Sequence, residues 1–108
     1  MRIAIVDDHP VVTEGVAQVL RAEEDMEVVG TAPSCPEGVR LVEETRPDIV
    51  LVDLQMPGGG GLELVRRARH LGTDVRFVIL TAYASRADVS AAVKEGVSGY
   101  VLKDALPD

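Results

Sequence analysis

One cysteine, no long apolar run and a shortage of bases set the first limits on this 108-residue chain. Cys35 has no second thiol to pair with, which excludes an internal disulfide and points to a reducing compartment. It reads as a small residue near a helix start. The longest apolar runs, such as IVLV and FVIL, are far too short to cross a bilayer, so no membrane span is expected. The N-terminus MRIAIVDD has one arginine, a brief apolar run and then acid, which is not a signal-peptide pattern. Eleven bases stand against 18 acids, a net charge of −7. Nucleic-acid binding needs a basic face, so the chain is a poor candidate for touching DNA itself. No G-x-x-x-x-G-K-[ST] occurs, and the single glycine run lacks the spacing of G-x-G-x-x-G.

What remains is the composition of a globular protein, 46% hydrophobic and 27% charged, at a length that suggests one domain with one core. Four short apolar runs rich in Val and Ile recur, at 2–6, 49–52, 75–80 and 99–103, with a weaker fifth at 27–32. They read as strands, and the lack of strict alternation predicts burial on both faces. Helical patterns lie between them. From Val11 the apolar positions are 11, 12, 15/16, 19 and 20, with Pro10 placed for a first turn. Ser34 and Glu37 form a capping box before Val39, Leu41 and Val42. Leu62, Leu64, Val65, Ala68 and Leu71 make a third amphipathic stretch. Ser85 with Asp88 opens a fourth before Val89, Ala92 and Val93, and Gly96 stops it. The resulting β-α-β-α-β-α-β-α-β order predicts a parallel sheet with helices on both faces. A final covering helix is expected after the fifth strand, and the chain ends before it, which reads first as a truncation and second as a shortened natural variant.

The stretch DIVLVDLQMPGGGG, residues 48–61, poses the functional question. A strand that looks buried ends on Asp53, followed by Met-Pro and four glycines. In open parallel sheets, ligands sit outside the carboxyl ends of the strands. The polar residues fall there: Asp7 and Asp8 after strand one, Asp53 after strand three, Thr81 after strand four and Lys103 after strand five. Each alone has a plain explanation. The Asp7-Asp8 pair reads as caps of the helix that begins at Pro10, Asp53 as a turn residue, Lys103 as a solvated strand end and Thr81 as a β-former. Together, three carboxylates at one edge repel one another unless a hard divalent cation such as Mg²⁺ binds them through oxygen. A metal, a lysine and a hydroxyl around a carboxylate make a site for a phosphoryl group, with the carboxylate as nucleophile. Gly58–Gly61 read as a tight, permissive loop that leaves the nucleophile open, and Pro57 fixes the chain's exit. His9 reads as a rim residue rather than a ligand, and His70 sits near a helix end, where a cation is favoured.

The segments IVDDHP, VLVDLQMPGGGGLEL, ILTAYAS and GVSGYVLKD resemble the receiver domain of two-component response regulators over essentially the whole chain. The resemblance implies an α/β, flavodoxin-like, doubly wound five-stranded parallel sheet of order 2-1-3-4-5, with residues 1–108 as one receiver domain. It implies that Asp53 accepts a phosphoryl group from a phosphohistidine of a sensor histidine kinase. Asp8, Asp53 and the backbone carbonyl of Gln55 would bind Mg²⁺, with Asp7 acting through water. Lys103 would bind the phosphoryl oxygens, Thr81 would move to meet the phosphoryl group, and Tyr100 would swing into the vacated space. Ala82 would leave room for phosphoryl entry, while Gln55 and Tyr83 would tune hydrolysis of the aspartyl-phosphate. The domain would not be an enzyme, although it would assist its own phosphorylation and dephosphorylation.

DDHP and GYVLKD resemble the NarL/LuxR type, which implies a cytoplasmic regulator of transcription. It would dimerise on phosphorylation and reach DNA only through an output domain not present in this chain. Gly60 departs from the family's usual Asp or Asn, with no metal ligand lost. Two other readings stand beside this one. A Mg²⁺-dependent phosphohydrolase using an aspartyl-phosphate would want a second Asp where Gln55 lies. A receiver-like interaction module independent of phosphorylation would have eroded positions, and all five are filled.

Overall fold

In the computed structural model, the described residues are 1–54, 56, 60–71, 74–81 and 97–102. Five strands, β1 (Arg2–Val6), β2 (Glu27–Ala32), β3 (Ile49–Val52), β4 (Arg76–Thr81) and β5 (Gly99–Leu102), form one sheet. Its order is β2-β1-β3-β4-β5 and every neighbouring pair is parallel. The expected topology is therefore present, and the strand boundaries match the apolar runs to within a residue at most ends. Helices α1 (Pro10–Arg21), α2 (Cys35–Thr45) and α3 (Gly61–His70) account for three of the four helical patterns. The fourth, at 85–96, lies outside the described residues, as do residues 103–108.

Side-chain alternation divides the core between the two faces of the sheet. Ala4, Val6, Val50, Val52, Phe77 and Ile79 pack with Val42 of α2 and Leu64, Val65 and Ala68 of α3. On the other face Ile5 and Leu80 pack with Val16 and Ala17 of α1, with Leu51, Val28, Val12 and Leu20 partly buried around them. Helices on both faces make the fold doubly wound. Burial on both faces holds for β1, whose last four residues are all buried. It does not hold for β3, where Val50 and Val52 are buried but Ile49 and Leu51 are half-buried.

Each helix shows a local cause. Pro10 occupies the first turn of α1, where its missing N–H costs no hydrogen bond, and the N-cap is His9 in an extended conformation. The apolar stripe of α1 is narrower than its sequence suggests. Val11 is 86% exposed because it stands about 140° round the helix from buried Val16, and Val19 lies at the stripe's edge. Helix α2 begins where Ser34 Oγ accepts the Glu37 N–H at 3.4 Å, a long cap bond, and ends at Arg46, whose φ of 46° gives a left-handed C-cap. Gly38 lets α2 approach β1: a Cβ there would meet Val6 Cγ1 at 2.9 Å. Cys35 is the first residue of α2 and fully buried. Burial pushes its thiol above the usual range, with Arg67 pulling down and Glu63 adding to the rise.

Candidate functional site

Two adjacent parallel strands end in acid at the same edge. β1 and β3 pair from Ile3↔Ile49 to Val6↔Val52, so Asp7 and Asp53 leave the sheet side by side. The ladder continues past the strand ends: Asp53 N–H donates to the Val6 carbonyl and Asp7 N–H to the Ala32 carbonyl, both at 2.9 Å. These bonds fix both main chains where the side chains turn into the site. Asp7 and Asp53 are buried, at 3% and 4% exposure, while Asp8 is half-buried at the rim. Buried carboxylates without compensation are costly, so their presence in an otherwise apolar sheet needs a reason.

That compensation comes partly from His9, which the sequence reading left on the rim. Its ring turns inward. Nδ1 lies 2.9 Å from Asp7 Oδ1, 3.1 Å from Asp8 Oδ1 and 3.6 Å from Asp53 Oδ2. The His9 backbone N–H also donates to Asp7 Oδ1 at 2.9 Å, so a local Asp turn sets the residue's position. One ring N–H serves one acceptor well, and Asp7 Oδ1 is the nearest. Asp8 Oδ1 is buried and accepts no hydrogen bond, despite the nearby ring. The Asp7-Asp8 pair also does not supply the cap residue of α1, which is His9, and the His9 side chain makes no cap hydrogen bond.

The four side chains Asp7, Asp8, His9 and Asp53 bring donor atoms within 4.8 Å of one another. Oxygen donors of three carboxylates, one with a buried oxygen lacking a hydrogen bond, suit a hard divalent cation. Mg²⁺ therefore fits the residues present.

The start of α3 lies against the same point. Gly60 is the N-cap of α3 and Gly61 its first residue, so only the earlier part of the expected Gly58–Gly61 loop precedes the helix. A Cβ on Gly61 would run into the Asp53 carbonyl oxygen, and one on Gly60 into that of Leu54. Gly60 has an ordinary φ of −82°, so close approach and not a left-handed backbone calls for glycine there. The Gly61 N–H donates to the Leu54 carbonyl at 2.9 Å and seats the start of α3 beside Asp53.

The remaining expected residues are placed less fully. Thr81 is the last residue of β4 and Tyr100 lies in β5, paired with Ile79, but their side chains are outside the described set. Gln55, Pro57, Gly58, Ala82, Tyr83 and Lys103 lie outside the described residues, although Lys103 directly follows the last residue of β5.

Comparison with known proteins agrees with this geometry. The family pattern described as the response regulator receiver domain matches residues 3–108. The nitrate/nitrite response regulator protein NarL of Escherichia coli K12 is 39% identical over 106 residues, covering 98% of this chain and 49% of that protein. A LuxR-family two-component response regulator from Aurantimonas superposes with a TM-score of 0.89 at 41% identity, covering 94% of this chain and 73% of that one. The signal receiver domain of a NarL response regulator from Mycobacterium tuberculosis gives 0.91 at 32% identity, covering 95% and 83%. The chain spans about half the length of the curated relatives it matches.

Proposed function

Because the chain belongs to the family of response regulator receiver domains, of the NarL/LuxR type, we propose that Asp53 is its phosphoacceptor. Proteins of this family are signal transducers. The observation that carries the proposal is a buried Asp53 at the carboxyl end of the central strand, beside Asp7 and Asp8. An Asp53 carboxylate oxygen attacks the phosphorus of a sensor kinase's phosphohistidine. The O–P bond forms as the N–P bond breaks, and the leaving imidazole nitrogen keeps the electron pair and takes a proton.

Asp8, Asp53 and the Gln55 carbonyl would hold Mg²⁺, with Asp7 acting through water. Bound there, the cation would neutralise charge on the phosphoryl oxygens and the carboxylates. Asp7 and Asp8 supply the negative field that holds the cation, and the fixed Asp53 main chain aims the nucleophile. Lys103 would bind phosphoryl oxygens. Thr81 and Tyr100 would form the switch, while Gln55 and Tyr83 would set the rate at which the domain assists its own dephosphorylation. Residues 1–108 would act as one receiver domain of a cytoplasmic regulator. It would dimerise on phosphorylation and control transcription through a DNA-binding domain on a longer chain, as the relatives' twofold greater length supports.

Intact-mass spectrometry with acetyl phosphate tests the site. A single phosphoryl adduct that requires Mg²⁺ is expected, and Asp53→Asn should abolish it. An unchanged adduct in the Asp53→Asn protein would refute the assignment.

A further inference from the structure

We propose that the amino edge of the sheet, opposite the acid site, is a self-complementary face on which a second copy of this chain docks about a two-fold axis. Two patches of opposite charge carry it. On the β2 flank, the turn from α1 into β2 bears Glu23, Glu24, Asp25 and Glu27, all exposed, against one base, Arg21. That turn is held in place: the terminal amine donates to the Asp25 carbonyl at 2.6 Å, and Glu27 N–H to the Met1 carbonyl at 2.8 Å. On the β4 flank, α3 ends with Arg69 and His70 and β4 begins with Arg76, all exposed, against one acid, Asp74. Arg66 and Arg67, a turn earlier on α3, face Glu63 instead.

The two patches lie at diagonal corners of the edge. β2 and β4 are three strand spacings apart, about 14 Å. They also lie towards opposite faces of the sheet. α1, which leads into the acidic turn, packs on the face with Ile5 and Leu80, and α3, which ends in the basic patch, packs on the face with Val6 and Ile79. Rotation by 180° about an axis along the strands, between β1 and β3, exchanges flank and face together. It sets the acidic corner of each copy on the basic corner of the other, so the contact is made twice and closes at two copies. Patches on one face of the sheet would be mismatched by the same rotation. The net charge of −7 opposes pairing at long range. At about 0.1 M salt the screening length is about 10 Å, which damps that repulsion between molecules 32 × 30 × 23 Å in extent but spares charges in contact. Exposed pairs are individually weak, so the dimer forms and breaks readily. Docked this way, the two carboxyl edges point apart, and each Asp53 stays open.

Sedimentation equilibrium without any phosphodonor tests the face, at about 0.1 M salt and protein concentrations up to about 1 mM. The mass should rise from 11.5 kDa to twice that and stop, and about 1 M salt should return it to the monomer. Reversing Glu23, Glu24 and Glu27 to Lys makes both corners basic, and Arg69→Glu with Arg76→Glu makes both acidic. Each variant alone should lose affinity for itself by about tenfold or more, and an equal mixture of the two should pair. Circular dichroism checks that both stay folded, and the wild-type measurement decides even where one does not. A wild-type chain that stays monomeric, a mass that climbs past two copies, a dimer indifferent to either reversal, or a mixture that fails to pair would each overturn the proposal. With no phosphodonor present, none of these outcomes bears on Asp53, which the adduct experiment tests separately.

Discussion

The two edges of the sheet use charge in opposite ways. At the amino edge, signs are mixed and the groups are satisfied. Arg2 N–H donates to Asp48 Oδ2 at 2.7 Å, and the Arg2 guanidinium donates to the carbonyls of Thr45 and Arg46. The terminal amine reaches the Asp25 carbonyl at 2.6 Å. A cleft of about 700 Å³ opens there, walled by Arg46, Asp48, Asp74 and Arg76, with both signs facing it. At the carboxyl edge, three acids meet, two of them buried, and a buried Asp8 oxygen accepts no hydrogen bond. What distinguishes the carboxyl edge is charge of one sign gathered at one point, because that arrangement favours a ligand of the opposite sign.

The contrast can be attacked at three points. The largest effect is expected from Gly61→Ala, because the new methyl group collides with the Asp53 carbonyl. Overpacking of this kind costs about 1–3 kcal/mol, measured by urea denaturation, and should also slow phosphoryl uptake by displacing Asp53. A variant of native stability would mean that α3 shifts freely and does not seat the site. Next comes the cation's own contribution: at ten times its dissociation constant, Mg²⁺ should stabilise the fold by about 1.4 kcal/mol. Asp8→Asn should lose most of that increment while the metal-free protein gains slightly from reduced repulsion. If Asp8→Asn instead destabilises the metal-free fold, the acids are structural and the contrast between edges fails. The smallest effect is expected at the amino edge. Asp48→Ala removes an exposed acceptor for one backbone N–H and should cost about 1 kcal/mol or less, leaving the Mg²⁺ increment intact. Loss of the increment there would show that the edges are coupled.

Much of this was legible in the chain because parallel sheets write themselves in short, β-branched runs separated by helical spacing. The order of elements, and the arrival of Asp7, Asp8 and Asp53 at one edge, followed from strand ends alone. Other features depend on local geometry that residue type does not encode. His9 turns inward because Asp7 folds its side chain back onto the His9 N–H, and nothing in DDHP distinguishes this from an outward ring. The signal that could have found it is position: a histidine directly after an acidic pair at a strand end is within reach of the acids. Val11 looked like core from its spacing, but the helix phase set by the Val16 contact turns it to solvent. The glycine run read as freedom of backbone conformation, whereas Gly60 and Gly61 serve close approach to the carbonyls of Leu54 and Asp53.

The hydrogen bond from Asp53 to the Val6 carbonyl has a mechanical consequence. It clamps the end of β3 to the end of β1, and the Asp7 bond to Ala32 clamps β1 to β2 in turn. Three neighbouring strands therefore behave as one plate on the acid-bearing side. The main chain that carries the Asp53 side chain is thus already anchored to its neighbour before any ligand arrives, and a group bound there meets a carboxylate on a fixed base.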